Sequence, residues 1–372
     1  MKLFSIKSQI HKFDTAKDFA ETFNIGEGDF VLSNEFIYNP FFGSLNLKAE
    51  ILFLEKYGVG EPSDEIIDAV FANIKGKTFK RIFAVGGGSV IDIAKLLVIK
   101  GENTALDLFE KKVPFIKDKE LILVPTTAGT GSEVTNISIA EIKSKHTKMG
   151  LSTDELYADH AVLIPELVKG LPYKFFVPSS IDALIHAIES YVSPKSNPYT
   201  EIFSVKAMEL ILKGYIQIIE KGEEYRKEII DEFVIGSNYA GIAFANTGVG
   251  AVHALSYPLG GTYHVPHGEA NYQMFVEVFK TYNKKKPEGK IKDIKKILAD
   301  ILNVSANEDV FNSLEKVLEK LLAKKPLKDY GMKVEEIESF TDSVIEGQQR
   351  LLNNNYVPLS REEIRDIYKT LY

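Results

Sequence analysis

The sequence predicts an N-terminal α/β domain with a mostly parallel sheet, followed by an all-helical domain. Short β-rich runs alternate with helical ones up to about residue 170. After Pro172 the strand signals nearly vanish and long 3.6-periodic stretches replace them. At 372 residues the chain exceeds one ordinary core. Two domains are therefore expected, residues 1–171 and 172–372, with a cleft between them.

Residues 30–32 and 51–54 read as buried strands, and residues 63–74 as an amphipathic helix started by Pro62 and Ser63. Residues 81–85 form a further strand, 90–99 a helix and 121–124 a third central strand. Residues 137–142 and 147–151 flank a polar turn as a hairpin does, which would make the sheet mixed, and residues 161–164 supply a last strand. Helices are expected over 202–220, 226–244, 291–302, 310–322 and 334–352.

Composition excludes several functions. There is no cysteine, so disulfides, thiolate metal sites and thiol nucleophiles are ruled out, and any metal must be held by histidine and carboxylate. A net charge of −7 argues against nucleic acid as a partner. The first fifteen residues carry charges where a secretory signal would be apolar. The longest apolar stretch, 82–99, is broken by Asp92 and Lys95, so no membrane span is expected and the cytoplasm is the expected location.

Two loops have the chemistry of a nucleotide site. Gly86-Gly87-Gly88-Ser89 runs from strand into helix, where the absence of Cβ atoms and the free N–H groups of a helix start favour an anion. Ser89 is suited to cap that helix or donate to a phosphate, and Asp92 is expected in its first turn, where it suits the dipole. A tight turn explains three glycines equally well, and the motif is not the GxGxxG fingerprint. The second loop, residues 125–133, also follows a predicted strand and carries the hydroxyls of Thr126, Thr127, Thr130 and Ser132. Two such loops at strand ends in one sheet indicate a nucleotide crevice.

Asp182 and His186 lie four residues apart and project from one helix face. Ser179 followed by Asp182 also resembles a capping box, which would make Asp182 a helix-start device. His253, His264 and His267 fall within fifteen residues of each other, in a glycine-rich helix–loop–helix segment. This mixed carboxylate and imidazole set suits Fe2+ or Zn2+.

The segments GGGSVID, PTTAGTGSEVT, DALIHAIE and HALSYPLGGTYHVPHG occur in the order and spacing of the iron-containing (group III) alcohol dehydrogenases, which the chain resembles from about Phe30 to at least Gly268. The resemblance implies a dehydroquinate synthase-like two-domain fold. It implies Asp182, His186, His253 and His267 as metal ligands, and a divalent metal, Fe2+ first and Zn2+ second. It further implies Gly87, Gly88, Ser89 and Asp92 as the pyrophosphate loop and Thr126, Thr127, Thr130 and Thr135 as the second nucleotide loop. Lys148 would reach the nicotinamide ribose. NAD as cofactor, a small alcohol or aldehyde substrate and a homodimer follow from the same resemblance. The substrate is expected to be a short hydroxy acid, which needs a cationic or donor-rich pocket, yet no arginine lies in the metal motifs.

Three positions depart from the family pattern. Asn34 replaces the aspartate that grips the adenosine ribose, which keeps a 2′-hydroxyl partner but repels a 2′-phosphate less. Tyr257 stands where many relatives have a histidine beside the reacting centre, so Tyr257 or His264 is the expected proton relay. Asn354-Asn355-Tyr356-Val357-Pro358 replaces the late Asn-Pro-Arg-Pro segment. Other readings open at this point are a synthase resembling 3-dehydroquinate synthase, a metal-dependent phosphate-ester hydrolase, and a purely structural metal.

Overall fold

The computed structural model of the chain describes residues 2–58, 60–145, 147–305 and 308–372. The chain divides into an α/β unit, residues 6–127 and 131–171, and a helical unit, residues 172–372 joined by residues 128–130 and the N-terminal stretch to Ser5.

The α/β unit runs β1 (Gln9–Lys12), α1 (Ala16–Thr22), β2 (Asp29–Ser33), α2 (Glu35–Phe42), β3 (Glu50–Phe53), α3 (Asp64–Ile74), β4 (Arg81–Gly86) and α4 (Gly88–Leu97). It continues through α5 (Ala105–Phe109), β5 (Glu120–Pro125), β6 (Ile137–Ile142), β7 (Thr147–Ser152), β8 (His160–Leu163) and α6 (Pro165–Lys169). Six strands form one sheet in the order β1-β8-β5-β4-β2-β3, every neighbouring pair parallel. Alternate residues go to opposite faces. Phe30, Leu32, Ile82, Ala84, Leu121 and Leu123 join one core. Val31, Phe83, Val85, Ile122 and Val124 join the other. Burial on both faces explains why these strands read as continuous apolar runs.

The expected mixed sheet is not found. β6 and β7 pair antiparallel with each other from Ile137–Ser152 to Ile142–Thr147 and form a separate two-stranded sheet. The parallel sheet instead gains β1 at its edge. That strand is short and largely exposed, so its sequence lacks the apolar signal of a buried strand. His11 on β1 and His160 on β8 face each other, Nε2 to Nδ1 at 2.9 Å. His146 lies outside the described residues.

The helical unit contains α7 (Tyr173–Val192), α8 (Pro198–Lys221), α9 (Ile230–Thr247), α10 (Ala251–Tyr263), α11 (His267–Lys285), α12 (Lys290–Leu302), α13 (Val310–Glu319), α14 (Glu336–Gly347), α15 (Gln349–Leu352) and α16 (Arg361–Leu371). α7 is its axis, packed against α8, α9, α11 and α12. From Ser180 to Val192 every residue is buried, the state of a helix surrounded by other helices. The sequence predicts a helix from residue 226, but residues 223–227 form a 3-10 turn and α9 begins at Ile230. Among the described residues no helix is long and apolar enough to cross a membrane.

Candidate functional site

The carboxyl ends of β2, β4 and β5 lie side by side, because β4 is hydrogen-bonded between the other two, with Ser33 opposite Val85 and Gly86 opposite Pro125. This register brings Asn34, the triple glycine and the Thr126–Thr127 start of the second loop to one edge of the sheet. Gly87 occupies the N-cap position of α4 and no side chain caps it, leaving the first N–H groups of the helix open to an anion. A side chain at Gly86 would drive its Cβ to 2.6 Å from Val90, so the close turn requires glycine there. Asn34 sits at the N-cap of α2 with its side chain uncommitted to a cap.

Two expectations about α4 need correction. Ser89 is inside the first turn rather than capping it, and its hydroxyl donates to the Gly60 carbonyl at 2.8 Å. Asp92 lies beyond the first turn, and its carboxylate accepts from Ser132 Oγ at 2.6 Å and the Ile139 amide at 3.0 Å. One turn on, fully buried Lys95 donates to Ser132 Oγ (2.6 Å), Thr135 Oγ1 (3.0 Å) and the Ile137 carbonyl (2.7 Å). The helix after the glycines and the chain after the threonine loop are thus tied by a charged internal network that sequence reading missed. Its signal was Asp92 and Lys95 interrupting an apolar stretch. Lys148, on β7, is ion-paired with Glu61.

The metal constellation assembles within the helical unit. One ligand atom from each of Asp182, His186, His253 and His267 lies within 4.8 Å of the other three. Asp182 and His186 come from α7. Both stand well inside that helix, which begins at Tyr173, so the capping-box reading of Asp182 is overturned, and Ser179 Oγ instead donates to the Phe176 carbonyl. His253 lies in the first turn of α10 and His267 opens α11, so the loop at 264–266 folds two imidazoles back onto α7. Gly268 permits this approach: a Cβ there would lie 2.2 Å from the Pro178 carbonyl oxygen and 3.3 Å from Asp182 Cβ.

The atoms converge as a cation site requires. Nε2 of His186 and Nε2 of His253 are 3.0 Å apart, and Asp182 oxygens lie 3.7 Å from His253, 3.8 Å from His267 and 4.0 Å from His186. His186 is clamped between the rings of Phe244 and His253, at 4.3 and 4.8 Å. Its Nδ1 is buried with no hydrogen-bond partner among the described residues, and the backbone of Gly129 favours the protonated ring. A proton on Nδ1 leaves Nε2 free to bind an ion. Gly129 can approach because it lacks a side chain, since a Cβ would meet the Ser179 carbonyl at 2.7 Å.

Two supporting residues escaped sequence reading. Glu189, three residues beyond His186 on α7 and 3 % exposed, accepts from His253 Nδ1 at 2.6 Å and from the Val252 amide at 2.8 Å. This carboxylate–imidazole pair fixes the His253 tautomer with Nε2 toward the cluster. Its position in DALIHAIE, on the face shared with Asp182 and His186, was the available signal. Asn271, one turn after His267, donates to Asp182 Oδ1 at 2.7 Å and sits 3.1 Å from His267 Nε2. An asparagine in a helix carries no such signal.

Electrostatics agree with the geometry. Burial opposes ionisation of Asp182, yet His186, His267, His253 and the Asn271 hydrogen bond together hold its carboxyl below the usual range. Burial lowers His186 to about 3 and keeps it neutral, as a ligand must be. Burial alone would also lower His253, but the charge and hydrogen bond of Glu189, with Asp182, raise it. His267 keeps a third of its side chain exposed, so the cluster is open on that side. The Tyr257 ring centroid is 6.4 Å from that of His267. His264 caps α10 in the left-handed conformation at φ 54° and is exposed, outside the four-residue cluster.

A parallel α/β unit with open glycine and threonine loops, and a helical unit holding one carboxylate and three imidazoles, define a metal-dependent dehydrogenase. The family model described as iron-containing alcohol dehydrogenase matches residues 14–165, and that of the Fe-containing alcohol dehydrogenase family, C-terminal, matches residues 176–372. The chain belongs to the iron-containing alcohol dehydrogenase family, which sets aside the hydrolase and synthase readings. It is 64% identical over 372 residues to the 4-hydroxybutyrate dehydrogenase of Clostridium kluyveri, covering all of both chains. It is 33% identical over 323 residues to long-chain-alcohol dehydrogenase 1 of Geobacillus thermodenitrificans, covering 84% of this chain and 80% of the relative. Its fold is similar to that of sulfoacetaldehyde reductase from Bifidobacterium kashiwanohense, crystallised with NAD+, at a TM-score of 0.85 and 21% identity over 99% of this chain and 98% of that one.

Proposed function

We propose that the protein is an NAD-dependent, metal-dependent alcohol dehydrogenase that interconverts 4-hydroxybutyrate and succinic semialdehyde. The observation that carries the reading is the Asp182–His186–His253–His267 cluster in a chain 64% identical, end to end, to a 4-hydroxybutyrate dehydrogenase.

The four residues suit a divalent ion, Fe2+ or Zn2+, because a hard carboxylate and three borderline imidazoles fit both. When bound, such an ion supplies Lewis-acid polarisation of a substrate oxygen, and the nicotinamide supplies or accepts the hydride. Glu189 fixes the orientation of His253, Asn271 that of Asp182, and Phe244 that of His186, so the donor set is held before any ligand arrives. Gly87 and Gly88, with the amides at the start of α4, bind the pyrophosphate. Ser89, Thr126, Thr127, Thr130 and Lys148 add donors, and Lys148 must exchange Glu61 for the ribose. Asp92 and Thr135 hold the two loops in place through Lys95 and Ser132. Asn34 hydrogen-bonds the adenosine ribose and favours NAD.

Tyr257 carries the proton to or from the substrate oxygen, directly or through water. Its ring stands near His267 on the open side of the cluster, whereas His264 serves as a helix cap. The protein works as a homodimer in the cytoplasm. NADH oxidation against a panel of aldehydes, with chelated and metal-reconstituted protein, tests the reading. Turnover of succinic semialdehyde by the reconstituted form alone is expected. Failure of every aldehyde with folded, reconstituted protein would refute the dehydrogenase, and turnover of other aldehydes only would refute the substrate.

A further inference from the structure

A second group of imidazoles lies in the α/β unit, apart from the four-residue cluster. His160 opens β8 and Glu120 opens β5, at the end of the parallel sheet opposite the glycine and threonine loops. His160 is in register with Gln9 of β1 on one side and Ile122 of β5 on the other. Residues two apart share a face, so His11, His160 and Glu120 project from the same side of the sheet.

Glu120 Oε1 is 3.0 Å from His160 Nε2 and accepts its proton. That bond fixes the tautomer and leaves the bare lone pair of His160 Nδ1 aimed at His11 Nε2, 2.9 Å away. The edge of Phe23 meets both rings, with centroids at 5.5 and 5.3 Å, and walls one side of the pair. The His160 side chain stays 16 % exposed, so the pair is open to solvent. Burial, and then the charge of His160, lower the pKa of His11, so its ring is neutral near pH 7, as a metal ligand must be.

We propose that His11 and His160 form a divalent-cation site of their own, oriented by Glu120, in which the ion ties the edge strand β1 to β8. The pair repeats the plan of the larger cluster. There the Nε2 atoms of His186 and His253 are 3.0 Å apart, and Glu189 holds His253 from behind at 2.6 Å. Metal–imidazole bonds run about 2.0–2.1 Å, so nitrogens 2.9 Å apart subtend about 90° at a shared ion. Octahedral and tetragonal ions accept that angle, with water in the remaining positions. The ion replaces the shared hydrogen, and His11 keeps its proton on Nδ1. With imidazole and water as ligands, Ni2+ and Cu2+ bind ahead of Fe2+. Two protein ligands instead of four make this the weaker site.

Calorimetric titration of the full-length protein, already loaded with Zn2+ and then given Ni2+, tests the site. The wild type should take up one further ion per chain without losing Zn2+, and Ni2+ should raise its thermal transition. His11→Gln and His160→Gln should take up no further ion, keep their Zn2+ and show no such rise. Glu120→Gln retains both ligands, so its Ni2+ affinity should fall about tenfold in a protein of native circular dichroism. Absence of a further ion in the wild type, uptake matched by release of Zn2+, or undiminished uptake by both histidine variants would overturn the assignment. Wild-type affinity in Glu120→Gln would overturn the part given to the carboxylate.

Discussion

Gly268→Ala is a one-atom test of how the metal centre is built. The added Cβ would stand 2.2 Å from the Pro178 carbonyl oxygen and 2.8 Å from its carbon. Carbon and oxygen settle at about 3.3 Å, so the start of α11 must retreat from α7 by roughly 1 Å. Both partners are backbone of buried helices and cannot swing aside. Overpacking of this kind costs about 1–3 kcal/mol. The functional cost follows from position, because Gly268 is bonded to His267. Metal–ligand distances tolerate only about 0.2 Å, so a shift of roughly 1 Å removes His267 from the donor set or distorts it. We expect metal affinity to fall about 10–100-fold, with a thermal transition only a few degrees lower and unchanged near-UV circular dichroism. Calorimetric titration of the metal-free proteins with Zn2+ measures this. Wild-type affinity in a folded Gly268→Ala protein would refute the claim that helix approach at this glycine positions His267.

Four further outcomes follow from the same geometry. Glu189→Gln offers one acceptor to two donors, the Val252 amide and His253 Nδ1, so metal affinity should fall about 10–100-fold in a protein of native fold; unchanged affinity would remove Glu189 from its positioning role. Lys95→Met leaves Asp92 without its buried cation and should cost about 3–5 kcal/mol in denaturant unfolding while weakening NADH binding and sparing Zn2+ affinity; intact NADH binding would separate that network from the nucleotide loops. His186 is neutral down to about 3, whereas His253 has a raised pKa, so metal binding should weaken as pH falls through the His253 value, with release of about one proton in calorimetry across buffers of different ionisation heats. Asn34→Asp should lower NADP+ use about tenfold and leave NAD+ unchanged, as steady-state kinetics with both cofactors would record, because a carboxylate repels a 2′-phosphate.

The cluster of Asp182, His186, His253 and His267 was legible because its chemistry is concentrated in sequence: Asp182 and His186 share a helix face, and His253 and His267 sit in one short segment. The glycine and threonine loops at the strand ends were legible because they follow apolar runs directly. What escaped depends on distant partners. Glu189 meets its imidazole 64 residues away, and Asn271 reaches Asp182 across 89 residues. Local rules also misled at Ser179, where a capping pattern falls inside a helix already begun at Tyr173 and tertiary packing overrides it. β6 and β7 read correctly as a hairpin, but alternation within a hairpin does not say which sheet it joins.

The central claim is that one ion, held by Asp182, His186, His253 and His267, is required for hydride transfer to succinic semialdehyde. Titrating metal-free protein with Fe2+ under anaerobic conditions while following NADH oxidation tests it most directly. The rate should rise in proportion to added metal and level off at one ion per chain, and Asp182→Ala should show no such rise. Full turnover by folded, metal-free protein, or an undiminished titration in Asp182→Ala, would contradict it.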